Sequence, residues 1–378
     1  MPLPPEIAVV GRFPPPLDGQ AVATRTLADV LGEAEGMSVR RVSLSAPEAD
    51  VRTDESALSR AGHYLGARGR LKQALDDAPA MPVIWTSISP KPLGHVRDLA
   101  TIVSAFGPHR PVVAVVHHGD FHKLFANPVT RASGLRLVRR LHSLVLLAPC
   151  LSERCAPWVP EAKRAVIPNT ASRDTHLSRP QFEARRMHRY NGPIRLLYLS
   201  GMIPSKGYLD VLDAVHTLRQ RGVDVRATWA GRWQSDDDER AFHARVDALG
   251  VRENVQHLGS VSDREQVRDL YLNADVFLLP TTYPTEAHPL TIMEALNAGT
   301  PVVATAHASI PEMIEDGRSG ILVPPHAPAA LADAVERLGT EETWRAFSRA
   351  ARDRYERVFA PDVVRARWLE LLAGIGPA

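Results

Sequence analysis

Cysteine is nearly absent. Cys150 and Cys155 are the only two in 378 residues, which excludes a disulfide framework and a cysteine-built metal cluster. No apolar run reaches the roughly eighteen residues a membrane-crossing helix needs. The opening residues, MPLPPEIAVV, lack the basic start, apolar core and cleavage site of a secretory leader, so a cytoplasmic location is expected. Charge of one sign is not in excess either. The formal net charge is +2, and no nucleic-acid partner is expected. The dinucleotide fingerprint G-x-G-x-x-G is missing from the first strand-to-helix turn. Asp-x-Asp is missing from the strand-end loops, and Asp236, Asp237 and Asp238 read as a charged helix start. Neither a metal nor a resident cofactor is therefore expected.

The 44% hydrophobic and 23% charged content belongs to a folded globular chain, and its length calls for two domains. The small net charge hides an asymmetry. Residues 1–172 carry 20 Lys and Arg against 15 Asp and Glu, and the remainder is acidic. Much of the excess lies in residues 60–72 and 131–142. The second segment, RASGLRLVRRLH, puts Leu135, Val138 and Leu141 on one helical face and Arg136, Arg139 and Arg140 around the other. Such a helix either lies on an anionic membrane or covers a sheet as an ordinary surface helix.

Short apolar runs alternate with helical patterns along the whole chain. Strands are expected at 7–10, 38–44, 82–86, 112–116, 144–147 and 165–167, and again at 194–199, 225–229, 254–258, 276–279, 302–304 and 321–323. This alternation implies an α/β fold with two Rossmann-like parallel sheets, each covered on both faces. The expected division is residues 1–172, a polar linker at 173–192 with solvated arginines, a second domain at 193–358, and a last helix at 359–378 after Pro361.

The organising stretch is 274–305, ADVFLLPTTYPTEAHPLTIMEALNAGTPVVAT. A buried strand ends at Pro280, and a polar loop follows with Glu286 and His288. Pro289 suits the first helical position because its missing N–H would be unpaired there anyway. Leu290, Met293, Glu294 and Leu296 continue at helical spacing until Gly299. Free amides around Pro289, Leu290 and Thr291, with the positive end of the helix dipole, favour a diphosphate. Carboxylates accept from sugar hydroxyls, so Glu286 and Glu294 flanking an anion site suggest a nucleotide sugar.

Glu286 and Glu294, seven residues between them, sit inside P-T-E-A-H-P-L-T-I-M-E-A-L-N-A-G-T-P-V-V-A-T. With the preceding A-D-V-F-L-L-P, this resembles the signature of retaining family 4 glycosyltransferases of the GT-B fold. The resemblance is strong over the second domain and loose over the first. It implies transfer of a sugar from a nucleotide sugar, UDP-sugar favoured, to an acceptor hydroxyl with retention and without metal. In the family no side chain is an established nucleophile, and a front-face path is favoured. The resemblance implies catalytic roles for Glu286, Lys206 and one of His117 and His118, which end a strand before Gly119. Strand alternation lets only one of that pair face the ligand. Glu294 would hold the ribose hydroxyls, and His288, Pro289, Leu290, Thr291, Gly19, Gly201, Gly231 and Arg232 would line the donor. Lys206 matches the lysine of the family's G-R-x-x-x-x-K-G. The arginine position falls on Gly201, so one cation is missing, and Arg232 is the candidate substitute. The acceptor, whether glycan, lipid-linked or small, is not readable, because acceptor contacts come from the first domain's loops. A sugar-nucleotide epimerase or phosphorylase on the same plan, and a binding protein with a decayed site, are the readings from other classes.

Overall fold

The computed structural model describes residues 2–15, 17–44, 69, 71–103, 106, 109–185 and 192–375. The chain forms two compact units. One is Met1–Thr170 with Pro361–Ala378, the other Ala171–Ala360.

In the first unit, β1 (Glu6–Gly11), β2 (Ser38–Ser43), β3 (Val83–Trp85), β4 (Val112–Val116), β5 (Ser143–Leu146) and β6 (Arg164–Val166) form one sheet in the order β2-β1-β3-β4-β5-β6. All pairs are parallel, with Val9 opposite both Arg41 and Ile84. The central strands are buried along their whole length, as sheets covered on both faces require. The outer strand β2 is half exposed, and Arg40 on it bonds Glu6 at 3.1 Å and Asp77 at 2.6 Å, charges that blunt an open edge. The last helix, Pro361–Ala373, packs on Gly19–Gly32 with Arg365 held by Glu33 at 2.5 Å. Cys155 is buried, and burial pushes its thiol up to about 11.

The second unit repeats the plan. Its strands are β7 (Ile194–Leu199), β8 (Val225–Ala230), β9 (Val255–His257), β10 (Val276–Leu279), β11 (Val302–Thr305) and β12 (Gly320–Val323), in the order β12-β11-β10-β7-β8-β9. The chain winds outward from β7 through β8 to β9, then returns to the other side of β7 with β10. The gap between the carboxyl ends of β7 and β10 is therefore the switch point where open α/β sheets bind ligands.

Two expectations need correction. The polar segment 173–192 is not a free linker over its described part. It carries the helix Arg179–Arg185, whose Phe182 is fully buried. Gly299, at φ +63°, lies so close to Phe182 that a Cβ there would meet the ring at 2.2 Å. Arg179 pairs with Glu183, Asp353 and Glu356 rather than with water alone. The basic helix runs Pro128–Arg140, and Leu137 and Val138 are buried, as is Leu141 just beyond it. Most of the apolar face that a bilayer would take is thus used by the unit's own core. The stretch 60–72 lies outside the described residues except Gly69, Leu71 and Lys72. No helix among the described residues is long and apolar enough to cross a membrane.

Candidate functional site

Two loops meet at the switch point of the second unit. Gly207, at φ +81°, presses on Pro280 so closely that a Cβ would lie 2.3 Å from its carbonyl oxygen, so only glycine fits. The Thr282 amide donates to the Ser205 carbonyl at 2.7 Å, stitching the loops together. The 280–289 loop is also held from behind. Thr305 and Ser309 donate hydroxyls to the carbonyls of Thr281 and Ala287, and His307 Nε2 lies 2.9 Å from the Tyr283 oxygen. A loop with three carbonyls tied down is a rigid platform.

Lys206 and Glu286 come together on that platform, Nζ to Oε2 at 2.5 Å. The ammonium also sits 4.5 Å from the Tyr283 ring centroid, and Thr281 Oγ1 is 3.3 Å from the same carboxylate oxygen. Both charged side chains are mostly buried. The adjoining helix is Leu290–Asn297, so Pro289 is the capping residue and not the first helical one. No side chain caps this end, and Leu290 and Thr291 are half-buried there. An uncapped helix start favours negative charge near it.

Glu294 is only 4% exposed, and the protein already holds it. Arg264 pairs with Oε1, and the Tyr271 hydroxyl donates to Oε2 at 3.2 Å. Burial pushes the carboxyl up, and Arg264 pulls it back. The open carboxylate expected from the sequence is therefore clamped, and a ribose would have to use the lone pairs Arg264 and Tyr271 leave. His288 is buried with its ring 5.5 Å from that of Phe359, so packing takes up the side chain.

Past β7 and β8 the two turns pair once more, at a single parallel bridge. Met202 donates to the Arg232 carbonyl at 2.9 Å and pairs with Trp233. Gly231 is required where it stands, since a Cβ would lie 1.8 Å from the Ser200 oxygen. At Gly201 the opposite holds. A Cβ would make only ordinary contact with Ile203 at 3.5 Å. Arg232 is exposed, joins no ion pair among the described residues, and lies in the bridged turn beside Gly201.

In the first unit the two histidines separate. His117 lines a cavity of about 20 Å³ with Thr26, Leu27, Val364 and Trp368, and its Nε2 is sealed from water without a partner. Burial pushes it down to about 4. His118 is lowered less deeply by burial and feels Asp120, Lys91 and Arg97. His118 is half-buried at the strand's end. Gly19 is exposed at the start of Gly19–Gly32, but Asp18 already caps that end through the Ala21 amide at 2.9 Å and pairs with Arg12. A carboxylate at that position opposes a phosphate there.

Residues 181–354 match the family described as glycosyl transferases group 1. The match spans somewhat less than half of the chain and lies within its second unit. Among curated relatives, WcaL of Escherichia coli, provisionally named a colanic acid biosynthesis glycosyltransferase, is 30% identical over 48% of this chain and 46% of its own length. The phosphatidyl-myo-inositol mannosyltransferase of Mycobacterium leprae is 29% identical over 68% of this chain and 64% of its own. The chain thus spans about half the length of the first of these relatives. A glycosyltransferase from Rickettsia africae superposes with a TM-score of 0.72 over 98% of both chains at 17% identity. Anabaena HepE, solved with UDP and glucose, gives 0.69 over 97% of this chain and 99% of its own at 16%. At that identity the likeness is one of fold, and the fold is GT-B.

Proposed function

We propose that the chain is a glycosyltransferase that moves a sugar from a nucleotide sugar to an acceptor hydroxyl, retaining the anomeric configuration and using no divalent metal. The observation that carries this reading is the Lys206–Glu286 pair beside the uncapped start of Leu290–Asn297 at the sheet's switch point. Lys206 and the helix amides would meet the charge growing on the departing diphosphate, and fixed dipoles do so without reorganisation. Glu286 would trade its hold on Lys206 for a sugar hydroxyl, and His118 would be the histidine the family resemblance assigns to the sugar. Glu294, oriented by Arg264 and Tyr271, would accept from the ribose. UDP is the favoured nucleotide, in keeping with the UDP that HepE holds. A cytoplasmic location and a peripheral contact with the inner face of the membrane through the first unit complete the reading.

A thermal-shift panel of UDP-, GDP- and ADP-sugars tests the donor. A UDP-sugar is expected to raise the melting temperature most, and sugar transfer or slow donor hydrolysis should accompany it. A flat panel would sink the reading, and binding without turnover on any acceptor would favour a binding protein.

Arg232 is the proposed stand-in for the cation missing at Gly201. Arg232→Ala should lower kcat about tenfold, the loss of one exposed charge-assisted contact. Because Gly201 has room for a side chain, Gly201→Arg should restore most of that loss. Steady-state kinetics of the two single variants and the double variant check the pair. No rescue would remove Arg232 from the site.

A further inference from the structure

Single exposed apolar side chains are ordinary, but here they are not scattered. The large ones most exposed among the described residues are Leu17, Leu93 (58%), Val96 (63%) and Val129 (87%), and all belong to the first unit. They follow β1, β3 and β4, so parallel pairing puts them at one end of the sheet. Leu93 and Val96, three residues apart, share the outer face of Pro92–Asp98. That helix cannot roll inward. Asp98 is fully buried, accepting from the Trp85 indole at 3.1 Å and the Ser89 amide at 2.8 Å and pairing with Arg97. His95, on the inner face, lies 2.8 Å from Ser133 Oγ, which ties this helix to Pro128–Arg140 one turn from Val129.

The segment from Lys91 to Arg140 is poor in acidic residues. Between Lys91 and Arg140 the only acidic residues are Asp98, which is buried and paired, and Asp120, which lies 3.6 Å from Lys123. Arg136 and Arg139 lie on the exposed side of Pro128–Arg140, along with Val129 and Ala132, and join no ion pair among the described residues. Rigidly held apolar tips, with unpaired arginines exposed further along the Val129 helix, suit a surface that is anionic at its face and apolar just beneath. A soluble acidic partner would satisfy the arginines and leave the valines in water.

We infer that this rim, Leu93, Val96 and Val129 with Arg136 and Arg139, docks the first unit on an anionic lipid bilayer. The inference names the surface of the membrane contact in the proposed function, yet it stands on residues remote in sequence from the donor loops. It also replaces the amphipathic face suggested by sequence, which the core uses.

The test is co-sedimentation of the full chain with vesicles of phosphatidylglycerol and phosphatidylcholine, and of phosphatidylcholine alone, at low salt. Binding is expected to the anionic vesicles only. Arg136→Ala with Arg139→Ala should weaken it roughly thirtyfold, and Leu93→Ser with Val96→Ser about tenfold. Both variants should keep the wild-type melting temperature and any nucleotide-sugar shift. Absence of wild-type binding, or binding that ignores both variants, overturns the inference. Variants that dissolve a dimer in analytical ultracentrifugation without changing vesicle binding would make the rim a self-association surface and overturn it equally. Vesicle binding by a chain that ignores every nucleotide sugar would leave the rim standing and remove the donor reading.

Discussion

Lys206→Ala is expected to lower kcat about 100- to 1000-fold while changing the donor KM little. In the donor-free chain Lys206 is held by Glu286 at 2.5 Å and by the face of Tyr283. Binding a donor exchanges one anion for another, so the ground state gains little from the lysine. The diphosphate becomes a stronger anion as the glycosidic bond breaks, and that is when a fixed ammonium counts most. Among the described residues, removal also leaves the Glu286 side chain with Thr281 as its remaining hydrogen-bond partner in a nearly closed position, a cost unrelated to chemistry. Lys206→Arg separates the two effects. A guanidinium can keep Glu286 paired and stack on Tyr283, but it places its charge in a plane rather than at a point. It should fold like wild type and recover only part of kcat. A wild-type kcat in Lys206→Ala would end the assignment of Lys206 to the leaving group.

Much of this was legible in sequence for a plain physical reason. A strand buried on both faces must be apolar throughout, so VVAVV and VFLL announce themselves, and all twelve expected strands form. Glu286 and Lys206 were legible because strand-end loops carry them, and the topology brings those loops together. The segment 173–192 was misread because, among its described residues, Leu177 and Phe182 are the buried apolar ones, too few to show a period. His117 and His118 could not be told apart without knowing that the last helix closes a cavity over one of them. The partners of Glu294 were missed because they lie 23 and 30 residues away. One signal was present. Arg264 directly follows the capping Asp263, and a cation at a helix start opposes the dipole. A residue that is locally wrong marks a distant partner.

That partner gives the second large effect. Arg264→Ala should destabilise the chain by about 3 kcal/mol near neutral pH, the cost of stranding one half of a mostly buried ion pair. Burial already raises the Glu294 carboxyl in the folded state, and Arg264 is the main influence holding it down. Without the arginine it rises further above its unfolded value. A carboxyl raised in the folded state contributes most when both states are protonated, and that contribution is lost as pH climbs from the unfolded pKa toward the folded one. The deficit of Arg264→Ala should therefore shrink on acidification and grow toward neutrality. Glu294→Gln removes the stranded charge and leaves an acceptor for Tyr271, so Arg264→Ala with Glu294→Gln should be more stable than Arg264→Ala alone. Denaturant melts of the four proteins at two pH values give the cycle. Adding Glu294→Ala to the set reports on the donor. If Glu294 accepts from the ribose, Glu294→Ala should weaken nucleotide-sugar binding about tenfold or more, the loss of contacts to a charged acceptor. Arg264→Ala should weaken it too, because the Glu294 carboxylate then loses the partner that orients it. Wild-type donor affinity in both variants would leave Glu294 a buried structural acid and move the ribose elsewhere.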